Sequence, residues 1–268
     1  VCEIHKIRDF AIELVHTAGE NLMARFGVVS GGVSKGGNIR DIVTEADLES
    51  EKILVDKISK AYPKHGILSE EKGTIRDNKQ CLWILDSLCG TTNYSQGIAY
   101  FGISIAFAQG SEVIFGVVYN PMSKELFHAI RGEGAYLAES KLHVSSTVQL
   151  SQAFVCIEWG QSEASIAKGI RYFTDLAKAA RKTRFYGSAA LNLANLAAGR
   201  LDAYIDQLKW WDFAAGALIV EEAGGEVTDF GGTSITPFAT GLVATNGKLH
   251  ASILGVLSHA HIPGYHIP

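Results

Sequence analysis

Four short acidic segments carry the side chains best suited to chemistry: Asp41-Ile42-Val43-Thr44-Glu45-Ala46-Asp47, Ser69-Glu70-Glu71, Asp86-Ser87-Leu88-Cys89-Gly90-Thr91-Thr92-Asn93 and Trp211-Asp212-Phe213-Ala214-Ala215-Gly216. Each sits where a strand or loop is expected to meet a helix. Carboxylates gathered in this way suit hard divalent cations, because Mg²⁺ takes oxygen ligands from carboxylates and backbone carbonyls. Such ions neutralise transferring phosphoryl oxygens and activate water, so metal-assisted phosphoryl chemistry is the reaction these residue types suggest. Taken singly, most have ordinary readings. Thr44-x-x-Asp47 before an apolar run reads as a capping box, Glu70 and Glu71 as solvated loop charges, and Asp212 as a first-turn helix acid favoured by the macrodipole. Asp86 is harder to dismiss, since a carboxylate directly after the apolar run Leu82 to Leu85 is costly to bury without a cation or donors.

The elements that must position these groups follow from periodicity. Ile4, Ile7, Phe10, Ala11, Leu14, Val15, Ala18, Leu22 and Phe26 recur at helical spacing and predict a long amphipathic helix ending in glycine. Gly27 to Gly37 reads as a loop or irregular hairpin, followed by a helix from about Ala46 with Thr44 as its N-cap. Leu82 to Leu85, Gly102 to Ala108, Val113 to Tyr119 and Glu125 to Ile130 are apolar, β-branched runs between turn residues, which predicts an antiparallel meander. Beyond residue 150 the pattern alternates: strand at Ala153 to Glu158, helix at Ser162 to Ala180, strand at Thr183 to Tyr186 and helix at Ser188 to Ala198. A strand at Asp202 to Ile205, a helix at Asp212 to Ala223, a strand at Gly241 to Ala244 and a helix at Lys248 to Leu257 complete it. Two tightly joined lobes are expected, 1–150 with most of the metal ligands and 151–258 with Asp212, followed by a disordered tail at 259–268.

Composition narrows the function. The chain has 268 residues, 24 basic and 28 acidic, with a formal charge of -4 and no basic run able to track a row of phosphates, so no direct nucleic-acid binding is expected. Apolar stretches are far shorter than the ~20 residues that cross a bilayer, and no leader precedes one. The four cysteines, Cys2, Cys81, Cys89 and Cys156, lack both CxxC pairing and the density of a disulfide scaffold. A soluble cytoplasmic enzyme with reduced thiols is the expectation.

The four acidic segments, in this order and spacing, resemble the metal-site motifs of the inositol monophosphatase family across nearly the whole chain. That family's central signature reads Asp-Pro-Ile/Leu-Asp-Gly-Thr, where this chain has Asp86-Ser87-Leu88-Cys89-Gly90-Thr91. Asp41 to Asp47 resembles its D-x-V-T-x-x-D segment, Ser69-Glu70-Glu71 its G-E-E turn, Trp211 to Gly216 its W-D-x-A-A-G helix start, and Gly187-Ser188-Ala189-Ala190 its substrate loop. The resemblance implies an αβαβα five-layer sandwich of the inositol monophosphatase and fructose-1,6-bisphosphatase type, in a homodimer. It implies Glu70, Asp86 and the Leu88 carbonyl as ligands of a first Mg²⁺, Asp86 bridging to a second that Asp212 also holds, and Cys89 in the place of a further carboxylate. Thr91 with Asp47 and Glu70 would serve catalysis, with Gly90 and Thr91 facing the phosphate. Gly187, Ser188 and Ala189 would lie along a polyol, with Asp206 and Asp212 touching it. Asp206 stands where the family has a hydroxyl-binding Glu, in a segment one residue shorter than usual.

The departures at Ser87 and Cys89 shape the functional alternatives. A thiol, with a reference pKa near ~8.5, is a soft ligand that replaces carboxylate poorly for Mg²⁺ but suits Zn²⁺ when deprotonated; by itself Cys89 would be an inert buried hydrophobe. The leading expectation is a phosphomonoesterase acting on a small polyol phosphate such as myo-inositol monophosphate by direct water attack, with Mg²⁺ and with Mn²⁺ or Zn²⁺ as substitutes. A weak or inactive member with a binding or regulatory role is the alternative, as is a phosphatase for a sugar bisphosphate or a nucleotide 3'-phosphate.

Overall fold

A computed structural model describes residues 3–28, 32–35 and 37–259. The chain opens with α1 (Ile4–Arg25), a hairpin of β1 (Val33–Lys35) and β2 (Asn38–Val43), and α2 (Glu45–Ala61). Strands β3 (Gly66–Ser69), β4 (Gly73–Arg76) and β5 (Leu82–Cys89) lead to the one-turn helix α3 (Thr91–Ser95). The meander β6 (Gly102–Gln109), β7 (Glu112–Asn120), β8 (Glu125–Ile130), β9 (Gly134–Leu137) and β10 (Ser140–Lys141) follows. The remainder runs β11 (Phe154–Ile157), α4 (Glu163–Ala179), β12 (Lys182–Arg184), α5 (Ala189–Ala197), β13 (Ala203–Asp206), α6 (Trp210–Glu222), β14 (Glu226–Thr228), β15 (Leu242–Thr245) and α7 (His250–His259).

The larger sheet has the order β10-β9-β8-β7-β6-β5-β3-β4 and the smaller β12-β11-β13-β15-β14. Pairing is antiparallel except for β3 with β5, and for β11 with its two neighbours. One face of the larger sheet, through Trp83, Ile103 and Ile105, buries the α1 stripe of Ile7, Ala11, Leu14, Val15 and Leu22 together with Leu54 and Ile58 of α2. Its other face meets Leu191 and Leu193 of α5 and Phe213 and Leu218 of α6, which also cover Tyr204 and Ala244 of the smaller sheet. Tyr172 and Leu176 of α4 and Ile253 and Leu257 of α7 close the far side over Val155 and Val243. The layers are therefore α, β, α, β, α, as the resemblance implies.

Helices α5 and α6 are apolar almost all round because each is covered from both sides. They approach closely, since a Cβ on Gly216 of α6 would lie 2.6 Å from the Leu193 side chain of α5; α6 lies as close on β7, where a Cβ on Gly116 would lie 2.8 Å from the Ala215 carbonyl. Each Leu buried in this layer is worth roughly 1.5–3 kcal/mol of transfer free energy, and truncating one to Ala costs about 2–5 kcal/mol.

Boundaries differ from the sequence expectation where polar groups intervene. Strand β5 extends through Cys89, with its register against β6 broken between Asp86 and Cys89, so Asp86 lies within the strand rather than after it. Helix α6 begins at Trp210, because Asp212 at its third position caps the Lys209 N–H at 2.8 Å. The expected strand at Thr183 to Tyr186 shifts to 182–184, since the Tyr186 N–H bonds Glu158 instead of a neighbouring strand. The Gly27 to Gly37 segment supplies only the first strand of an irregular hairpin, whose second strand lies beyond it at 38–43, with a register shift at Ser34/Lys35. The expected tail lies outside the described residues from 260 on, and no helix among those described is long and apolar enough to cross a membrane.

Candidate active site

Strands β3 and β5 run parallel and adjacent, with Ser69 paired to Leu85, so the turn after Ser69 sets Glu70 beside Asp86 within β5, while the first turn of α6 brings Asp212 to them. Oxygens of Glu70, Asp86 and Asp212 all lie within 4.8 Å of one another. Octahedral ligands about 2.1 Å from a Mg²⁺ ion lie ~3.0 Å apart when cis and ~4.2 Å when trans, so each pair need close by no more than ~1.8 Å to share one coordination sphere. They line a cleft of about 550 Å³, together with Leu88, Gly90, Thr91, Ser188 and Asp206.

The cluster is electrostatically strained without a cation. Burial pushes the Asp86 carboxyl well above the usual carboxylate range, and the charges of Glu70 and Asp212 add to it. Burial, then Glu70, raises Asp212 to about 7. Glu70 is likewise raised by burial, against the opposing pull of Lys35. Three acids that cannot comfortably ionise together in a half-enclosed cleft are a donor set waiting for positive charge. Part of that charge comes from Lys35 on β1, whose Nζ lies 2.9 Å from Glu70 and 2.6 Å from Glu71. Burial alone would lower the Lys35 pKa, but the two glutamates outweigh it and raise it.

Asp47 fulfils both of its sequence readings. Thr44 caps α2, its backbone N–H and hydroxyl donating to Asp47 Oδ2, with the N–H at 2.8 Å. The other oxygen, Oδ1, accepts the Thr91 hydroxyl at 2.7 Å. Because the Thr91 hydroxyl has one proton and the carboxylate is the stronger acceptor, the Leu88 carbonyl, also 3.1 Å away, receives the weaker share. Gly90 holds a left-handed turn, φ 105°, that a side chain would disfavour.

Cys89 does not join the three converging ligands among the described residues. Its Sγ accepts the Ala190 N–H at 3.3 Å, and burial followed by the Asp86 charge pushes its pKa well up, leaving it protonated and neutral. The substrate-loop residues Gly187, Ser188 and Ala189 do reach the cleft. Asp206 lines it as well, but one oxygen takes the Tyr204 hydroxyl at 2.7 Å and the other its neighbour's N–H, from Gln207, at 2.6 Å. Two cleft residues escaped the sequence reading. Lys35 carries no motif signal. Glu158 could have been found by the argument that singled out Asp86, since it too is a carboxylate closing an apolar strand.

Comparison with known proteins agrees with this architecture. Residues 3–261 match the model of the inositol monophosphatase family. The chain is 36% identical over 251 residues to a Thermotoga maritima protein named fructose-1,6-bisphosphatase/inositol-1-monophosphatase, covering 93% of this chain and 95% of that one. It is 36% identical over 257 residues to the Nus factor SuhB of Escherichia coli K12, covering 94% and 95%. The crystal structure of the extragenic suppressor protein suhB from Bartonella henselae superimposes with a TM-score of 0.89 at 33% identity, covering 94% and 98%. With the acidic cleft in place and the match running nearly end to end, the chain belongs to the inositol monophosphatase family and is, by class, a phosphoric monoester hydrolase.

Proposed function

We propose that the chain is a divalent-cation-dependent phosphomonoesterase that hydrolyses a small polyol phosphate, such as a myo-inositol monophosphate, by direct attack of water. The convergence of Glu70, Asp86 and Asp212 carries this reading. These three, with the Leu88 carbonyl, would hold the cation, Mg²⁺ in the first instance and Mn²⁺ or Zn²⁺ as substitutes. When bound, it neutralises phosphoryl oxygens and lowers the pKa of water.

The chain's own groups do the rest. Asp47 Oδ1 holds the Thr91 proton, which leaves the hydroxyl oxygen of Thr91 free to accept a hydrogen bond from water and turn its lone pair towards phosphorus. The Asp47 carboxylate is raised by burial, which makes it a better acceptor for the water's proton. Gly90 and Thr91 would face the phosphate, and Gly187, Ser188, Ala189 and Asp206 the polyol. The neutral thiol of Cys89 would leave a second cation weakly held, so turnover would be low at ordinary Mg²⁺.

That thiol is also the observation favouring a second reading, a catalytically weak protein with a binding or regulatory role, towards which the name of the SuhB relative points. The Thermotoga relative's name makes a sugar bisphosphate the first alternative substrate. A homodimer, a cytoplasmic location and two lobes divided near residue 150 belong to the same proposal. Phosphate release from a panel of polyol, sugar-bisphosphate and nucleotide phosphates, each with Mg²⁺, Mn²⁺ and Zn²⁺, tests it. Hydrolysis that persists in excess chelator would refute the cation dependence, and no hydrolysis under any condition would refute the enzymatic reading.

A further inference from the structure

The wall of the cleft at Tyr186-Gly187-Ser188 is gripped from two sides by groups that have no part in the chemistry above. From the smaller sheet, a single oxygen of Glu158 accepts the Tyr186 N–H at 3.1 Å, the Gly187 N–H at 2.7 Å and the Asn192 side-chain amide at 2.7 Å. From α3, the Asn93 amide donates to the carbonyls of Tyr186 at 2.7 Å and Tyr100 at 2.9 Å and lies 3.4 Å from that of Gly187. Ser188 then donates to the Cys89 carbonyl at 2.9 Å. The wall's N–H groups are thus fixed to the smaller sheet and its carbonyls to α3, within two residues.

The grip leaves no slack. Gly187 has φ +85°, and a Cβ there would lie 3.0 Å from Asn93 Nδ2. A Cβ on Gly90 would in turn lie 3.1 Å from the Gly187 carbonyl. The phosphate turn and the wall therefore touch backbone to backbone, and Asn93 sits three residues along from that turn on the same short helix. Satisfying buried N–H groups would account for Glu158 alone. It does not account for an opposing side chain that fastens the same peptide to the turn carrying Thr91.

We propose that Asn93 and Glu158 are positioning residues that fix the spacing between the phosphate turn and the polyol wall, and so determine how well a polyol, as opposed to any phosphate ester, is held. This rests on the polyol-phosphatase reading. Asn93→Ala and Glu158→Leu remove one side of the grip each, while Glu158→Gln keeps an acceptor oxygen in place. The variants are compared on myo-inositol 1-phosphate and on p-nitrophenyl phosphate, which has no polyol to rest on the wall, at saturating Mg²⁺. Amide hydrogen exchange at Tyr186 and Gly187 is followed in parallel.

The expected result is a KM for inositol phosphate raised about tenfold, equivalent to ~1.4 kcal/mol, with kcat/KM for p-nitrophenyl phosphate changed less than about threefold. Gly187 exchange should be at least tenfold faster in Glu158→Leu, and Glu158→Gln should recover most of both effects. Equal losses on the two substrates, or unchanged protection of Gly187, would overturn the proposal. If Glu158→Leu does not fold, the KM split of Asn93→Ala between the two substrates decides it, equal losses again overturning the proposal. A wild type that hydrolyses neither ester would sink the phosphatase reading, while the exchange measurement would still decide whether the grip exists.

Discussion

Replacing Cys89 with aspartate should make the stability of this protein depend steeply on divalent cation. The thiol is neutral, almost wholly buried and close enough to Asp86 to feel its charge. An aspartate of nearly the same size would put a fourth carboxylate next to Asp86 and near Glu70 and Asp212. Two like charges ~5 Å apart repel by about 3 kcal/mol at the effective dielectric constant of ~20 suited to such sites. For a chain of this length, each kcal/mol moves Tm by roughly 2–4 °C, so without metal the variant should melt about 6–12 °C below wild type. Added Mg²⁺ should close the gap, because the extra carboxylate is then a ligand instead of a repelling neighbour, and calorimetric Mg²⁺ affinity should exceed wild type by tenfold or more. Cys89→Ser, which adds no charge, should show neither effect. Thermal unfolding of all three proteins in chelator and across a Mg²⁺ titration is the assay. Identical Tm values in chelator, with identical Mg²⁺ dependence, would mean that position 89 does not feel the acidic cluster.

Other outcomes follow from the same geometry. Glu70→Gln and Asp212→Asn should each weaken Mg²⁺ binding in calorimetry and slow phosphate release, while raising Tm in chelator because each removes a crowded charge. The carboxyls of Asp86, Glu70 and Asp212 are raised in the fold, Asp212 to about 7, so the folded state holds protons that the unfolded chain has already released. Metal-free stability is therefore unpenalised below the unfolded pKa near ~4 and should fall as pH rises towards about 7; urea midpoints in chelator should drop over that window and flatten with Mg²⁺. Thr44→Ala removes the α2 cap, which should cost about 1 kcal/mol in urea unfolding. It should also lower kcat, because Asp47 loses the Thr44 hydroxyl, one of the two donors that hold it turned towards Thr91.

Periodicity was enough to find α1, α2 and the meander, because each presents a single apolar stripe or an alternating face to a core. The motif segments located Glu70, Asp86 and Asp212, whose convergence is a long-range property that spacing alone does not contain. Short strands such as β3, β4, β9, β10 and β14 have two to four residues and no period to detect. Lys35 was invisible because a lone lysine in a glycine-rich segment has no pattern; only the pairing of β1 with β2 aims it at Glu70. The start of α6 was misplaced by taking Asp212 for its first residue, when the carboxylate reaches back to cap the turn before it. Cys89 stands in a ligand's place by its motif, and the bond its Sγ accepts from Ala190 is a contact that no linear spacing records.

The middle helical layer has a consequence for how the protein is made. Asp86 and Asp212 are separated by 126 residues (212 minus 86), and the helix that carries Asp212 packs against the larger sheet while belonging to the later part of the chain. During synthesis the larger sheet emerges with one face dressed by α1 and α2 and the other bare until α5 and α6 arrive. Such an apolar face is a target for aggregation and for chaperones over that interval. Closing so distant a contact is slow relative to local structure. The acidic cleft cannot exist before that closure, so acquisition of a tightly held cation would mark the moment at which the nascent chain has completed its interior.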